Sequence, residues 1–419
     1  MSTNPPPASS VAQEFNFFEP GQVEDPYPMY ARARREAPVF FSPQFGMWIV
    51  TRYADIAAIQ RDTERFSSAG SLEAKGTMPP PVAEVLRAGY DRFASLVQSD
   101  PPDHTRVRAV LGRALGPARV AEMEAGIRRL ANELIDAFVR DGHVELISRF
   151  AFPLPGLVIC DLLGVPRSDM KQLRAWHEDK GALMSASDPV ERLVEAAHGY
   201  VAALRYFRAQ IEARAGAPKD DLLTLLVPQE IGGTAPMSMQ EAVCNAFDLL
   251  AAGHETTTDL IGNGLALLFA NPEAMREVRE DPALLPGAVE EFLRLEAPVR
   301  GFFRTALADV EVGGVAIPQG AKIFMLYGSG NRDEAHFPEP DRLDIRRKDA
   351  DKHLSFGRGI HFCIGAFLGR LEGRVAFELL LRRLPNLRRE EGKPVRWRPY
   401  LISRGFDELH IAWDVAPQA

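Results

Sequence analysis

Cysteine is scarce in this chain. The three cysteines among 419 residues, Cys160, Cys244 and Cys363, are far apart and odd in number. Neither a disulfide framework nor a paired-cysteine metal site is therefore expected, and the usage fits a reducing cytoplasm. Positive charge is also short. A formal net charge of −8 argues against nucleic acid as a general partner, because phosphate binding wants a basic face. No stretch offers ~18 uncharged apolar residues, so no membrane span is expected. Residues Met1 to Ser10 carry neither a basic start nor an apolar run and read as neither signal peptide nor anchor. Residues 1–20 are expected to be a disordered tail. Internal repeats are missing, and so is any flavin or iron–sulfur motif.

What is present is ordinary globular composition, 46% hydrophobic and 25% charged, enough for a large core. Length alone allows about two to three domains. The breaks at Gly216 to Asp220 and Gly232 to Pro236 are too short to act as linkers, so residues 21–419 are expected to form one domain. Nothing in the pattern demands an oligomer, and a monomer is expected.

Helical periodicity dominates. Asp25-Pro26 should start a helix through about Arg35, followed by two short strands, 38–41 and 47–50. Residues 67–81 are rich in Ser, Gly and Pro and read as loop. Helices are expected over about 105–115, 118–139, 154–163, 168–184 and 189–214. The Ser238-Met-Gln-Glu241 capping box opens the longest helix, which Asn271-Pro272 ends. A hairpin over 310–320, a strand over 322–327 and a non-periodic meander over 331–352 follow, and 364–381 reads as helix.

The chemistry concentrates in Phe356-Gly357-Arg358-Gly359-Ile360-His361-Phe362-Cys363-Ile364-Gly365. Glycines on both sides of one cysteine let a turn wrap tightly around the sulfur, Phe356 can supply a dry wall, and the helix that follows lowers a thiol pKa from ~8.5. A buried structural cysteine is the plain alternative. The stretch resembles the haem-binding loop of bacterial cytochromes P450, Phe-Gly-x-Gly-x-His-x-Cys-x-Gly, with every fixed position filled.

The resemblance runs from about Tyr27 to the end and implies a mainly α, triangular-prism fold with a small β region and a long central helix over haem b. It implies Cys363 as the iron ligand, with Phe356, Gly357 and Gly365 shaping its loop. In the middle of the long helix, Ala252-Gly253-His254-Glu255-Thr256 resembles the family's oxygen-activation motif. Thr256 and Glu255 inherit hydroxyl and proton-relay roles, and Ala252 and Gly253 a groove; a helix kinked by threonine back-bonding is the plain alternative. His104 and Arg108, four apart on one helix, together with Arg304 and His361, match the ligands of the haem propionates. Glu291 and Arg294 match the family's Glu-x-x-Arg pair, with Arg342 as third member of a structural triad. Asp248, Ala251, Phe247, Val299, Arg300, Phe302, Phe303 and residues 84–97 are candidate pocket walls. Asp248 and Arg300 are expected either to pair with each other or to meet a polar substrate group.

The activity implied is insertion of one oxygen atom from dioxygen into a small organic substrate, by hydroxylation, epoxidation or O-dealkylation. Electrons would come from a separate ferredoxin or flavodoxin with an NAD(P)H-dependent reductase, docking near Arg106, Arg113, Lys352 and Arg358. A peroxide-driven peroxygenase and a non-catalytic haem-thiolate sensor are the alternatives, and neither needs Glu255 and Thr256.

Overall fold

The structure is a computed structural model that describes residues 9–72, 78–89, 95–185, 188–230 and 235–415. The break at 232–236, the loop at 67–81 and the wall segment 84–97 thus lie partly outside the described residues. Helix predominates and strands are few and short, as the periodicity predicts. Contacts divide the chain into one compact unit of residues 1–66, 117–155 and 255–419 and another of residues 67–116 and 156–254.

The first unit contains the sheets. Val39–Ser42 pairs antiparallel with Met47–Val50, which runs parallel to Lys322–Leu326, itself antiparallel to Gly301–Ala306. Alternate side chains of a strand face opposite ways, and the cores divide accordingly. Trp48, Val50, Ile323 and Met325 pack with Tyr53 and Ile56 on one face, whereas Ile49, Phe303 and Phe324 pack with Phe15, Phe17 and Tyr30 on the other.

From residue 9 onward, that second core corrects the reading of residues 1–20 as a disordered tail; residues 1–8 lie outside the described residues. Ser9 caps the helix Ser10–Glu14, and Val11, Ala12, Phe15 and Phe17 are buried. Phe15 meets Phe40 with ring centroids 5.4 Å apart, and Phe17 meets Phe324 at 5.4 Å. Aromatic burial outweighs the ordering entropy of this segment.

A second sheet, made from residues the sequence pattern did not single out, joins Val395–Trp397, Phe406–Ala412 and His143–Glu145, with Arg388–Arg389 also paired to Phe406–Ala412. The hairpin over 310–320 forms as expected and turns at Gly313 and Gly314, both at positive φ. The predicted 118–139 helix is instead two, Pro117–Glu122 and Glu124–Asp136.

In the second unit, Met170–Ser185 lies against Val190–Gly216 so closely that a Cβ on Gly199 would come within 1.8 Å of an Asp179 carboxylate oxygen. The longest helix, Met239–Ala270, has 32 residues. Its capping box forms reciprocally: the Ser238 N–H donates to Glu241 Oε2 at 2.7 Å, and the Glu241 N–H to Ser238 Oγ at 3.2 Å. Residues through His254 count with the second unit and those from Glu255 with the first.

The triad changes one member. Arg294 grips Glu291 with two hydrogen bonds of 2.7 and 2.8 Å, and both side chains are completely buried. Arg347, not Arg342, is the second cation, its Nε 3.1 Å from Glu291 Oε1. The Arg342 guanidinium is exposed beside Glu339 and Asp344, and only its carbonyl accepts from Arg294. The turn closed by Arg342 N–H to Glu339 O points residue 342 outward, and the next, closed by Arg347 N–H to Asp344 O, brings residue 347 back inward. Arg294 also donates to the Asn331 carbonyl. The Asn331 side chain accepts from the Leu354 N–H and donates to Ser355 Oγ, so the network reaches the stretch entering the cysteine loop.

One buried acid joins the long helix to Ala366–Arg383. Glu372 accepts a hydrogen bond from Thr257 Oγ1 at 3.3 Å, and its Oε1 has no partner. Burial pushes its pKa up to about 8, opposed by the Thr257 bond.

Arg347→Ala should destabilise by roughly 3–5 kcal/mol because it strips a buried carboxylate of a cation, whereas Arg342→Ala should stay within about 0.5 kcal/mol; urea denaturation of both variants measures the difference. Glu372 binds its proton more tightly folded than unfolded, so its contribution is full below the ordinary carboxylate range and declines as pH rises to about 8. Stability measured against pH should therefore fall less steeply in Glu372→Gln than in the natural chain.

Candidate functional site

The loop from Phe356 to Gly365 is closed by its own backbone. The Gly357 N–H donates to Leu354 O at 2.7 Å, Cys363 N–H to Phe356 O at 2.7 Å, and Phe362 N–H to Gly359 O at 3.1 Å. Gly357 and Gly359 have φ of +66° and +68°, a region costly for residues with a Cβ. A Cβ on Gly359 would also come within 2.6 Å of the Gln60 carbonyl oxygen. Gly365 differs: it has φ of −87° and caps Ala366–Arg383, and the nearest atom to a Cβ there would be Cys363 Sγ, at 3.9 Å. Its place keeps room beside the sulfur.

Cys363 is only half-buried, whereas Cys160 and Cys244 are buried, and burial pushes the Cys160 thiol up to about 11. The accessible sulfur thus precedes a helix by three residues, where the helix dipole favours a thiolate. Phe356 is half-buried beneath the Arg370 guanidinium, 4.6 Å from its ring centroid. Ile360, Phe362 and Phe367, on either side of Cys363 in sequence, keep large apolar side chains exposed. His361 is half-buried. Arg304, on strand Gly301–Ala306, is buried and donates to the Phe303 carbonyl at 2.8 Å. One half-buried cysteine in a closed glycine loop, exposed apolar neighbours in sequence, and the Arg304 and His361 side chains make a donor set that fits haem, which needs a soft ligand, a dry face and partners for its propionates. In the other unit, His104 is buried and Arg108 half-buried on the helix Asp103–Ala114.

The long helix opens at its middle. Ala252 is exposed and Ala251, Gly253, Glu255 and Thr256 are half-buried, with Thr257 through Leu260 buried after them. Asp248, Ala252 and Thr256, four residues apart, share one stripe. Glu255 is held by Arg398, which bonds it directly, and by Ser403 Oγ at 3.2 Å. Arg398 also reaches Asp259 at 2.8 Å and Asp407 at 3.1 Å. Arg398, Ser403 and Asp259 escaped sequence reading, since nothing local marks a partner 143 positions away.

The two polar pocket candidates differ in their surroundings. Asp248 bonds Ser95 and Lys180, and Lys180 Nζ stands 5.5 Å from the centroid of the Phe247 ring. Arg300 is buried, its three guanidinium nitrogens have no hydrogen-bond partner, and its electrostatic neighbours are Tyr30, Arg404, Tyr27 and Glu296. Its pKa is lowered by burial and by Arg404. Phe247 is fully buried against Tyr200 and Phe207, and Phe303 belongs to the core with Phe17 and Phe324. Val299 and Phe302 are partly buried and pack against the other core face.

A sequence model of the family "Cytochrome P450" matches residues 185–395. Cytochrome P450 107B1 of Saccharopolyspora erythraea is 37% identical over 94% of this chain and 96% of its own length. Vitamin D(3) 25-hydroxylase of Pseudonocardia autotrophica is 37% identical over 93% of this chain and 94% of its own. A solved structure of cytochrome P450 CREJ in complex with (4-ethylphenyl) dihydrogen phosphate covers 96% of this chain and all of its own with a TM-score of 0.91 and 31% identity. With the cysteine loop in place and these likenesses spanning nearly the whole chain, the protein belongs to the cytochrome P450 family and is a haem-binding monooxygenase with that family's fold.

Proposed function

We propose that this monooxygenase inserts one oxygen atom from dioxygen into a small organic substrate, taking electrons from a separate ferredoxin or flavodoxin served by an NAD(P)H-dependent reductase. The observation that carries this reading is the half-buried Cys363 in its closed loop at the head of Ala366–Arg383. Cys363 would ligate the iron with Phe356 as the wall beside it, and Arg304 and His361 would meet the propionates; His104 and Arg108 would take the same role on sequence pattern. When bound, the haem would supply dioxygen activation.

The protein's own residues handle the proton. Glu255, 23% exposed, can exchange with water, and the half-buried Thr256 places a hydroxyl beside it in sequence. Ala252 and Gly253 keep the helix surface low where the reacting molecules must fit. An acid and a hydroxyl at this point favour a dioxygen-driven enzyme over a peroxygenase or a sensor. Arg106, Arg113, Lys352 and Arg358 are the docking cations read from sequence; Arg106 pairs with Glu241 and Asp103, and Arg358 donates to the Lys352 carbonyl. We read the protein as one haem domain acting as a cytoplasmic monomer; among the described residues no helix is long and apolar enough to cross a membrane.

The reduced protein under carbon monoxide should show the red-shifted Soret band of a thiolate-ligated haem, and Cys363→Ala should lose it; a variant that keeps the band removes Cys363 as ligand. Thr256→Ala should retain the band while diverting electrons from product to peroxide when NADPH use, product and peroxide are measured together. Unchanged partition would take Thr256 out of the proton path.

A further inference from the structure

Three carboxyls face one guanidinium behind the proposed relay. Arg398, 12% exposed, bonds Glu255, Asp259 and Asp407 through its three nitrogens. Asp259 is completely buried, Glu255 is 23% exposed and Asp407 55%. Ionising all three would leave two excess negative charges around a single cation, one of them without water, a costly arrangement. A proton on the most buried acid relieves it. Asp259 offers a place for that proton, because Oδ1 is taken by Arg398 and Oδ2 is buried with no partner. Burial raises the Asp259 pKa, with Arg398 opposing and the Glu255 and Asp407 charges adding to the rise.

The backbone fixes this arrangement. Glu255 and Asp259 lie one turn apart on the same helix face, and the Arg398 N–H donates to Gly405 O at 2.9 Å. Gly405 presses on the acid so closely that a Cβ there would come within 1.8 Å of Asp259 Oδ1. Tyr400, under the Arg398 guanidinium at 5.4 Å from its ring centroid, completes the ionisable groups around the cluster.

We propose that Glu255 and Asp259 hold one proton between them across the Arg398 guanidinium, and that Asp259 recharges Glu255 whenever Glu255 has delivered its proton. This rests on the reading of Glu255 as the relay acid. In the recharging step the proton passes from the Asp259 carboxyl to the Glu255 carboxylate. Arg398 is a cation before and after, and the Asp259 carboxylate then regains a proton from solvent. Only O–H bonds form and break, and no electron moves. Asp259 and Arg398 are positioning residues in this scheme: they act through Glu255.

Infrared spectra of the haem-loaded protein in H2O and D2O should contain a protonated-carboxyl band that shifts in D2O, fades at alkaline pH, is lost in Asp259→Asn and persists in Glu372→Gln. NADPH oxidation driven by a surrogate ferredoxin and its reductase, followed against pH in both solvents, gives the second measurement. Asp259→Asn, close in shape to the natural residue, should lose the alkaline decline in rate and show a larger solvent isotope effect with haem content unchanged. Arg398→Lys should retain part of the natural profile and Arg398→Gln none of it. If no band depends on Asp259, or if Asp259→Asn keeps the natural pH profile and isotope effect while Glu255→Gln changes both, the shared proton is ruled out and the relay reading stands. If Glu255→Gln also leaves both unchanged, the relay reading falls with it.

Discussion

Glu291 and Arg294 form an ion pair with no exposed atom, and the cysteine loop hangs from it. Two charges taken out of water are tolerated only if nearly every polar atom around them is satisfied. Here Glu291 receives Arg294, Arg347 and the Asp344 N–H, while Arg294 donates to the carbonyls of Asn331, Pro340 and Arg342. The meander has no periodic structure of its own, so these bonds supply the geometry that helix or sheet would otherwise give it. Through Asn331 the constraint passes to Leu354 and Ser355, and from Leu354 O to Gly357. A sulfur positioned by a glycine turn needs such an anchor, since glycine permits conformations without selecting one.

Sequence pattern reveals features encoded at fixed short spacing. The cysteine loop, the Ser238–Glu241 capping box and the strands at 39–42 and 47–50 are each specified within ten residues, and each appears where its residues place it. Arg342 illustrates the opposite case. Its neighbours Pro340 and Asp341 fit a motif, but the direction of a side chain in a non-periodic segment depends on successive turns, and these hand the role to Arg347. Arg398 was illegible for a different reason: its link to Glu255 spans 143 positions and has no local signature.

Two misses had a signal available. Phe15, Phe17 and Phe18 form an aromatic run unsuited to a disordered tail, and two of the three are buried. Along Phe406–Ala412, Phe406, Leu409 and Ile411 are the buried side chains, a partial alternation that reads as a half-buried strand. That strand matters chemically, because its start brings Gly405, Phe406 and Asp407 to the cluster around Arg398.

The second half of the long helix sets polar groups where packing alone would favour apolar residues. Thr257 faces Glu372, a buried acid raised to about 8, and two residues on Asp259 is buried against Arg398 with its own pKa raised. Both lower stability as pH rises toward neutrality, since each must be neutral to remain buried comfortably. A helix optimised only for stability would fill these positions with leucine or valine, as it does at Leu260 and Ile261. The two acids differ in what surrounds them. Glu372 has a single hydroxyl and no cation, so its proton has nowhere evident to go, whereas Asp259 shares a guanidinium with an acid that reaches water. That difference in connection, rather than burial or pKa, makes Asp259 the stronger candidate for moving a proton.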